Sequence, residues 1–252
     1  MHMKEKKEII ARPDKKIYRE GNTVVKMFGT SYSKADILNE ALNHARVEET
    51  GLKIPQLLGV SIVEGRWSIT TEWIEGRTMQ EVMDENPERL PELMEQFVDL
   101  QLTVHKQRAP LLNKLKDKLN RQISSLKEEL DATGRYELHT RIEGMPRHNK
   151  VLHGDFNPSN IIVQEDGTCY ILDWSHATQG NGSADAGRTY LLFSLQDEKI
   201  ADLYLDVYCR KADTARQYVQ QWLPIVAAAQ LTKHRPEETE VLKKWADVFE
   251  YQ

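Results

Sequence analysis

The segment VLHGDFNPSNIIV, Val151 to Val163, sets a histidine, an aspartate and an asparagine in a short polar loop between two apolar runs. Val151-Leu152 and Ile161-Ile162-Val163 read as short strands on either side of it. A further strand, TCYILDW, begins at Thr168 and ends on another carboxylate, Asp173. Two β segments thus deliver Asp155, Asn160 and Asp173 to one place. Oxygen donors without sulfur or several imidazoles suit a hard cation, Mg²⁺ above all. A carboxylate beside such a cation can orient a hydroxyl group and take its proton. The loop offers no second His or Cys that would make His153 a metal ligand. That ring reads as structural, packed beneath the loop and donating to its backbone.

The elements that must position these groups are legible in outline. EIIAR (Glu8 to Arg12), KIYRE (Lys16 to Glu20) and TVVKMF (Thr23 to Phe28) are β-prone, and Gly21-Asn22 is a tight hairpin signal between the last two. SKADILNEALNHARVEETG predicts a helix with Ser33 as N-cap and Gly51 as stop. Its apolar face would be Ile37, Leu38, Ala41, Leu42 and Ala45. QLLGVSIVEG and RWSITTEWI predict another strand pair. After Gly76 the pattern is helical, first through Leu93, Phe97, Leu100, Leu102 and Val104. A stripe of Leu115, Leu119, Ile123, Leu126 and Leu130 follows, which fits either a dimer seam or, more simply, packing on its own domain. With no repeat and no Pro/Gly-rich linker, the break near Glu75-Gly76 is expected to be a hinge dividing residues 1–75 from 76–252.

Charge and composition narrow the partners. The chain of 252 residues carries a net charge of −5 and no sustained Lys/Arg block, which disfavours nucleic acid and anionic membranes. The mild acidic excess leans weakly towards a cationic small substrate. Two isolated cysteines, Cys169 and Cys209, fit a reducing compartment. The N-terminal MHMKEKKEII lacks the apolar stretch of a signal peptide, and Leu223 to Ala229 is too short to span a bilayer. A cytoplasmic protein without membrane insertion is expected.

HxDxxxxN followed by an apolar strand ending in Asp resembles the catalytic and metal motifs of the protein-kinase-like fold. Gly154 in the loop and ILDW in place of DFG resemble its small-molecule branch, the aminoglycoside phosphotransferase and choline kinase-like family. The resemblance covers nearly the whole chain. It implies an α+β, two-lobed fold: an N-terminal antiparallel sheet with one helix as the nucleotide-binding lobe, and a larger, mainly helical C-terminal lobe with the catalytic loop and acceptor site. It implies ATP or GTP and Mg²⁺ as cofactors. By the same resemblance Asp155 is the catalytic base, and Asn160 and Asp173 hold the metal. Lys26 of VVKMF holds the nucleotide phosphates, and Glu40 pairs with Lys26. The backbone of Glu72, Trp73 and Ile74 in ITTEWIEG would read the adenine edge. Asp185 in SADAGRTYLLF would brace the catalytic loop, in support of which His153 also stands.

One departure from the family is the loop RPDKK, Arg12 to Lys16, which has no glycine where phosphates should be covered. Either Lys15 or Lys16 contributes charge there instead or, more simply, both are solvated turn residues. The acceptor implied is a hydroxyl of an amino sugar, an amino alcohol such as choline or ethanolamine, or a sugar. Candidate lining is Asp185, Tyr208, Trp222, Trp245 and Glu250, with packing the simpler role for Trp222. The alternatives are an atypical protein kinase and a non-catalytic nucleotide-binding pseudokinase. Retention of Lys26, Asp155, Asn160 and Asp173 together weighs against the second. Oligomeric state is not read from the sequence.

Overall fold

The computed structural model describes residues 6–12 and 14–247. In chain order the elements are β1 (Lys6–Arg12), β2 (Lys15–Glu20), β3 (Thr23–Phe28), α1 (Lys34–Glu48), β4 (Leu57–Val63), β5 (Arg66–Glu72), β6 (Arg77–Thr78) and α2 (Met79–Glu85). Then come α3 (Leu90–His105), α4 (Leu115–Ser125), α5 (Ala132–Gly144), β7 (Lys150–Leu152), β8 (Ile161–Val163), β9 (Cys169–Ile171) and β10 (Thr178–Gly180). The chain continues with α6 (Gly182–Ser194), α7 (Glu198–Ala212), α8 (Arg216–Gln220), α9 (Leu223–Leu231) and α10 (Pro236–Ala246). No helix among the described residues is long and apolar enough to cross a membrane.

The chain forms two compact units. The first takes the chain up to Glu85 together with Pro158–Ala177; the second takes Asn86–Asn157 and the chain from Thr178 onward. This division differs from a single boundary at Glu75-Gly76. Residues 76–85 and 158–177 join the first unit because β6 pairs antiparallel with β8, and β8 with β9.

In the first unit an antiparallel sheet runs in the order β1-β2-β3-β5-β4. The pairing Glu20↔Thr23 leaves Gly21-Asn22 as a two-residue hairpin turn, and Gly21 takes the positive φ of 61° that such turns need. Helix α1 begins where the Ser33 hydroxyl accepts the Asp36 N–H at 3.1 Å. It packs on the sheet through Ile37 and Ala41, against Phe28 and Ile69. Here the predicted apolar face needs correction: Leu38 and Leu42 are 40% and 47% exposed. Ile37 and Ala41 reach the sheet, and the other buried positions of the helix are Asn43, His44 and Val47. The buried His44 is satisfied by the Pro55 carbonyl at 2.6 Å.

Gly76 is the close approach on which the small sheet β6-β8-β9 depends. Its φ is +148°, and a Cβ there would lie 2.5 Å from the Val163 carbonyl oxygen. Gly76→Ala is expected to destabilise the protein by at least about 2 kcal/mol. Denaturant unfolding checks this, and a loss under about 0.5 kcal/mol would show that the strand pair shifts freely to admit a methyl group.

The second unit is built on α3, α6, α7 and α9. Phe97 of α3 meets Phe156, Phe193 and Tyr204 with ring centroids 4.8, 5.7 and 5.9 Å away. Phe156 lies in the polar loop, so this cluster anchors the loop to the core. The predicted leucine stripe is interrupted. Helix α4 stops at Ser125, and α5 starts after Asp131, whose carboxylate caps it by accepting the Gly134 N–H at 2.6 Å. Leu119, Ile123 and Leu126 are nevertheless buried. The stripe serves its own unit.

Candidate active site

In the first unit, Lys26 lies on β3, paired across to Ile69 of β5 and Ile17 of β2. Its ammonium sits between two carboxylates: it donates to Glu40 of α1 and, at 3.1 Å, to Oδ1 of Asp173. Burial alone would lower the Lys26 pKa, but Asp173 and Glu40 more than offset it and hold the group above the usual lysine range. Asp173 sits in the left-handed region, φ 55° and ψ 69°, just after β9. Trp174 fixes that turn from beneath, buried and donating its indole N–H to the Ile171 carbonyl at 3.0 Å. Burial would raise the Asp173 pKa; the charges of Lys26 and Lys15 reverse this and keep the carboxylate ionised.

Asn160 is tied to the same place through the backbone. It ends the 3₁₀ turn Pro158–Asn160, and its carbonyl accepts the Leu172 N–H at 2.8 Å. The register Ile161↔Ile171 therefore sets Asn160 opposite the residue before Asp173. An amide and an ionised carboxylate are hard oxygen donors. No group of three or more His, Cys, Asp and Glu side chains gathers among the described residues. The set fits a cation such as Mg²⁺, which takes most of its ligands from phosphate and water.

Of the two readings of Lys15, the structure favours the charge-bearing one. Its side chain is 17% exposed and reaches Oδ2 of Asp173 at 4.0 Å, so it is not a solvated turn lysine. Burial, then the neighbouring Lys26 charge, lower its pKa to about 8. The glycine that permits this is on the facing strand end: Gly29 donates to the Asp14 carbonyl at 2.7 Å, and a Cβ on Gly29 would lie 2.9 Å from Asp14 Cα. The first unit thus brings two lysines to one aspartate without a glycine in the loop itself.

The strand end at Glu72 to Ile74 is partly committed. The Glu72 N–H donates to the Gln56 carbonyl and the Trp73 N–H to the Asn22 carbonyl, both at 2.9 Å. The Trp73 ring carries the Arg19 guanidinium 4.4 Å from its centroid, and its indole N–H donates to Glu75 at 2.6 Å. Ile74 is buried. Of these three residues, Glu72 and Trp73 have their backbone N–H groups engaged.

In the second unit, β7 leads into the loop. Asp185, in the first turn of α6, accepts from the Gly154 N–H at 2.7 Å and the His153 N–H at 3.3 Å, and it meets His105 Nε2 at 3.0 Å. Burial would raise the Asp185 pKa; the hydrogen bond and charge of His105 bring it below the usual carboxylate value. His153 is fully buried, and its Nδ1 accepts the Asp155 N–H at 3.2 Å. Through Nδ1 the ring supports the loop by accepting from its backbone. Thr189 Oγ donates to the Phe156 carbonyl at 2.9 Å, closing the loop onto α6.

Asp155 is surrounded by cations that the sequence reading did not pick out. Arg188 donates through Nε to the Gly154 carbonyl at 2.9 Å and lies 3.4 Å from Asp155 Oδ1. Lys233, just past α9, is 3.8 Å from the same oxygen. Arg188 was findable, three residues after Asp185 on one helix face. Lys233 gave no such signal. Of the expected acceptor lining, Asp185, Tyr208 and Trp222 are buried, Asp185 on its hydrogen bonds to the loop and His105, and Trp245 stacks on Tyr190 at 6.2 Å. Glu250 lies outside the described residues.

Comparison with known proteins gives a consistent picture. The sequence model of the phosphotransferase enzyme family matches residues 15–222. No curated protein matches at a significant level. Among solved structures, a thermostable mutant of the aminoglycoside phosphotransferase APH(4)-Ia is similar at TM-score 0.73 and 13% identity, covering 96% of this chain and 92% of that one. A choline/ethanolamine kinase family protein from Mesorhizobium loti is similar at TM-score 0.64 and 16% identity, over 95% and 84%. ADP-bound aminoglycoside phosphotransferase APH(2'')-Ib gives 0.63 and 15%, over 96% and 90%. At these identities the likeness speaks for the fold, which is kinase-like.

Proposed function

The chain belongs to the phosphotransferase enzyme family, and from that premise we propose that it transfers the γ-phosphoryl group of ATP or GTP to a hydroxyl of a small molecule in the cytoplasm. The observation that carries this reading is Lys26 held between Glu40 and Asp173. A buried lysine needs one carboxylate to be neutralised. A second that stays ionised fits a group that changes partners when nucleotide arrives. Solved relatives in complexes with AMP-PNP or ADP support nucleotide use.

Phosphoryl transfer asks for positioning and charge stabilisation rather than covalent chemistry. Lys26 binds the α- and β-phosphates, oriented by Glu40, and Lys15 adds a second positive charge. Ile74 reads the base edge beside Glu72 and Trp73. Asn160 and Asp173 would hold Mg²⁺, which would neutralise phosphate charge when bound. Asp155 orients the acceptor hydroxyl and takes its proton as the new O–P bond forms. The bond from Pγ to the bridging oxygen breaks, and its electron pair leaves with the nucleoside diphosphate. Asp185 and His153 keep the loop amides and Asp155 in place.

Release of ADP or GDP in the presence of Mg²⁺, with each donor run against pooled hydroxyl acceptors, tests the reading. A folded protein without Mg²⁺-dependent nucleotide binding sinks it. Lys26→Ala is expected to weaken nucleotide use by about 10- to 100-fold in kcat/KM, the worth of a charge-assisted hydrogen bond. An unchanged KM and kcat in that variant would undo the assignment of Lys26.

A further inference from the structure

Both backbone groups of Gly154 are held by one face of α6. Asp185 accepts the Gly154 N–H at 2.7 Å, and Arg188, three residues on, donates through Nε to the Gly154 carbonyl at 2.9 Å. From that anchor the same guanidinium reaches Oδ1 of Asp155 through Nη2, at 3.4 Å. Its side chain is 13% exposed. Thr189, the next residue of α6, holds the Phe156 carbonyl.

What Arg188 adds differs from what Asp185 and Thr189 add. The backbone of Asp155 is fixed by its own loop: its N–H donates to His153 Nδ1 at 3.2 Å, and its carbonyl accepts from Asn157 at 2.9 Å. Arg188 acts on residue 155 at the carboxylate. A guanidinium is planar with its donors in a rigid fork, so anchoring one donor on Gly154 fixes where the next one points. Lys233, 3.8 Å from the same oxygen, brings charge from beyond hydrogen-bond reach. The charges around the pair are of both signs. Burial lowers the Arg188 pKa, and of the carboxylates that oppose this Asp155 acts most strongly, ahead of Asp185 and of Glu238 on α10. Asp155 in turn faces Arg188, Lys233 and the charge of Lys118 on α4, with His153 beside it in the loop.

We infer that Arg188 is the positioning residue of the catalytic base: braced on the Gly154 carbonyl, it sets the direction of the Asp155 carboxylate and keeps it ionised. The inference rests on the phosphotransferase reading, in which Asp155 takes the proton of the acceptor hydroxyl. Asp185 and Arg188 thereby divide the work of one helix face. The first holds the loop amides, and the second aims the side chain that the loop presents.

Titration of the Asp155 carboxyl ¹³C resonance in the full chain tests this, the resonance being assigned by its loss in Asp155→Asn. Arg188→Gln removes the positive charge and is expected to raise the midpoint by at least about one pH unit. Lys233→Gln, with no hydrogen bond to lose, is expected to move it less. A smaller rise in Arg188→Gln, or a larger one in Lys233→Gln, overturns the inference. Arg188→Lys keeps the charge but not the fork, and it serves as well if the glutamine variant does not fold. Its midpoint is expected within about half a unit of wild type, while kcat falls about tenfold. Wild-type kcat with lysine at this position overturns the positioning role.

Kinetics with Mg²⁺-ATP and pooled glucosamine, ethanolamine, choline and glucose give the second readout. Arg188→Gln is expected to lower kcat at least about tenfold with the nucleotide KM unchanged. In the Asp155→Asn background the same substitution is expected to cost less than about twofold more. An equal loss in both backgrounds means that Arg188 does not act through Asp155, and overturns the inference. Binding of Mg²⁺-AMP-PNP in the same samples separates the two ideas. No binding, with the midpoint shift intact, overturns the kinase reading and leaves the hold of Arg188 on Asp155 standing. Binding without the midpoint shift overturns that hold alone.

Discussion

Asp155→Asn lowers kcat by about 10²- to 10⁴-fold, the usual worth of a positioned general base, and leaves nucleotide affinity nearly unchanged. The substitution keeps the shape of the side chain. It also keeps the loop backbone, because the Asp155 N–H still donates to His153 and its carbonyl still accepts from Asn157. What is lost is the negative charge and the proton acceptor. Arg188 and Lys233 lose a counter-ion at 3.4 and 3.8 Å, while Lys26, Glu40 and Asp173 keep their mutual contacts. The signature is therefore a fall in kcat with a nucleotide KM that is unchanged. Steady-state kinetics, with melting curves to show that the variant is folded, measure it. Turnover equal to wild type would remove Asp155 from the base role.

Asp185→Ala costs about 3–5 kcal/mol of stability, in the range for removing one member of a buried charged pair. The carboxylate is buried and accepts from two loop amides besides meeting His105. Alanine leaves those N–H groups unpaired in a site closed to water. Asp185→Asn retains one acceptor oxygen and should recover part of the loss. Because its folded pKa lies below the unfolded value, Asp185 contributes stability that is present above about pH 4 and lost as pH falls through the folded pKa. Wild type should thus lose stability on acidification more steeply than Asp185→Asn. Denaturant midpoints across pH test both statements. A cost under about 1 kcal/mol for Asp185→Ala would make the brace dispensable.

The chemistry-bearing loop was legible because its residues are local. HGDFNPSN and ILDW lie within a few residues of the turns that present them, and strand periodicity places those turns. Lys26 and Glu40 were reachable through the family's spacing, and the structure joins them directly. What escaped depends on chain segments far apart in sequence. Lys15 reads as a turn lysine until Gly29 lets the Asp14 backbone close in. Lys233 lies in the turn after α9, 78 residues beyond Asp155, and no local pattern links the two. The face of α1 was misread because hydrophobicity alone favoured Leu38 and Leu42. Asn43 and His44 are buried on hydrogen bonds to Ser175 and Pro55 that only the folded chain supplies. The leucine stripe is broken where α4 stops at Ser125, before Leu126 and Leu130, and Asp131 then caps a new helix.

The chain passes between its two units three times, after Glu85, after Asn157 and after Ala177. This order has a consequence for synthesis. A nascent chain makes β1 to β5 early, yet the first unit lacks β8, β9 and Asp173 until residue 177 of 252 has left the ribosome. Until then Lys26 has Glu40 but not its second carboxylate. No single cut yields that unit whole, so a gene truncated at residue 85 encodes a fragment that has Lys15 and Lys26 but not Asp173. Separate expression of the unit requires Pro158–Ala177 to be rejoined to the N-terminal segment by a designed linker.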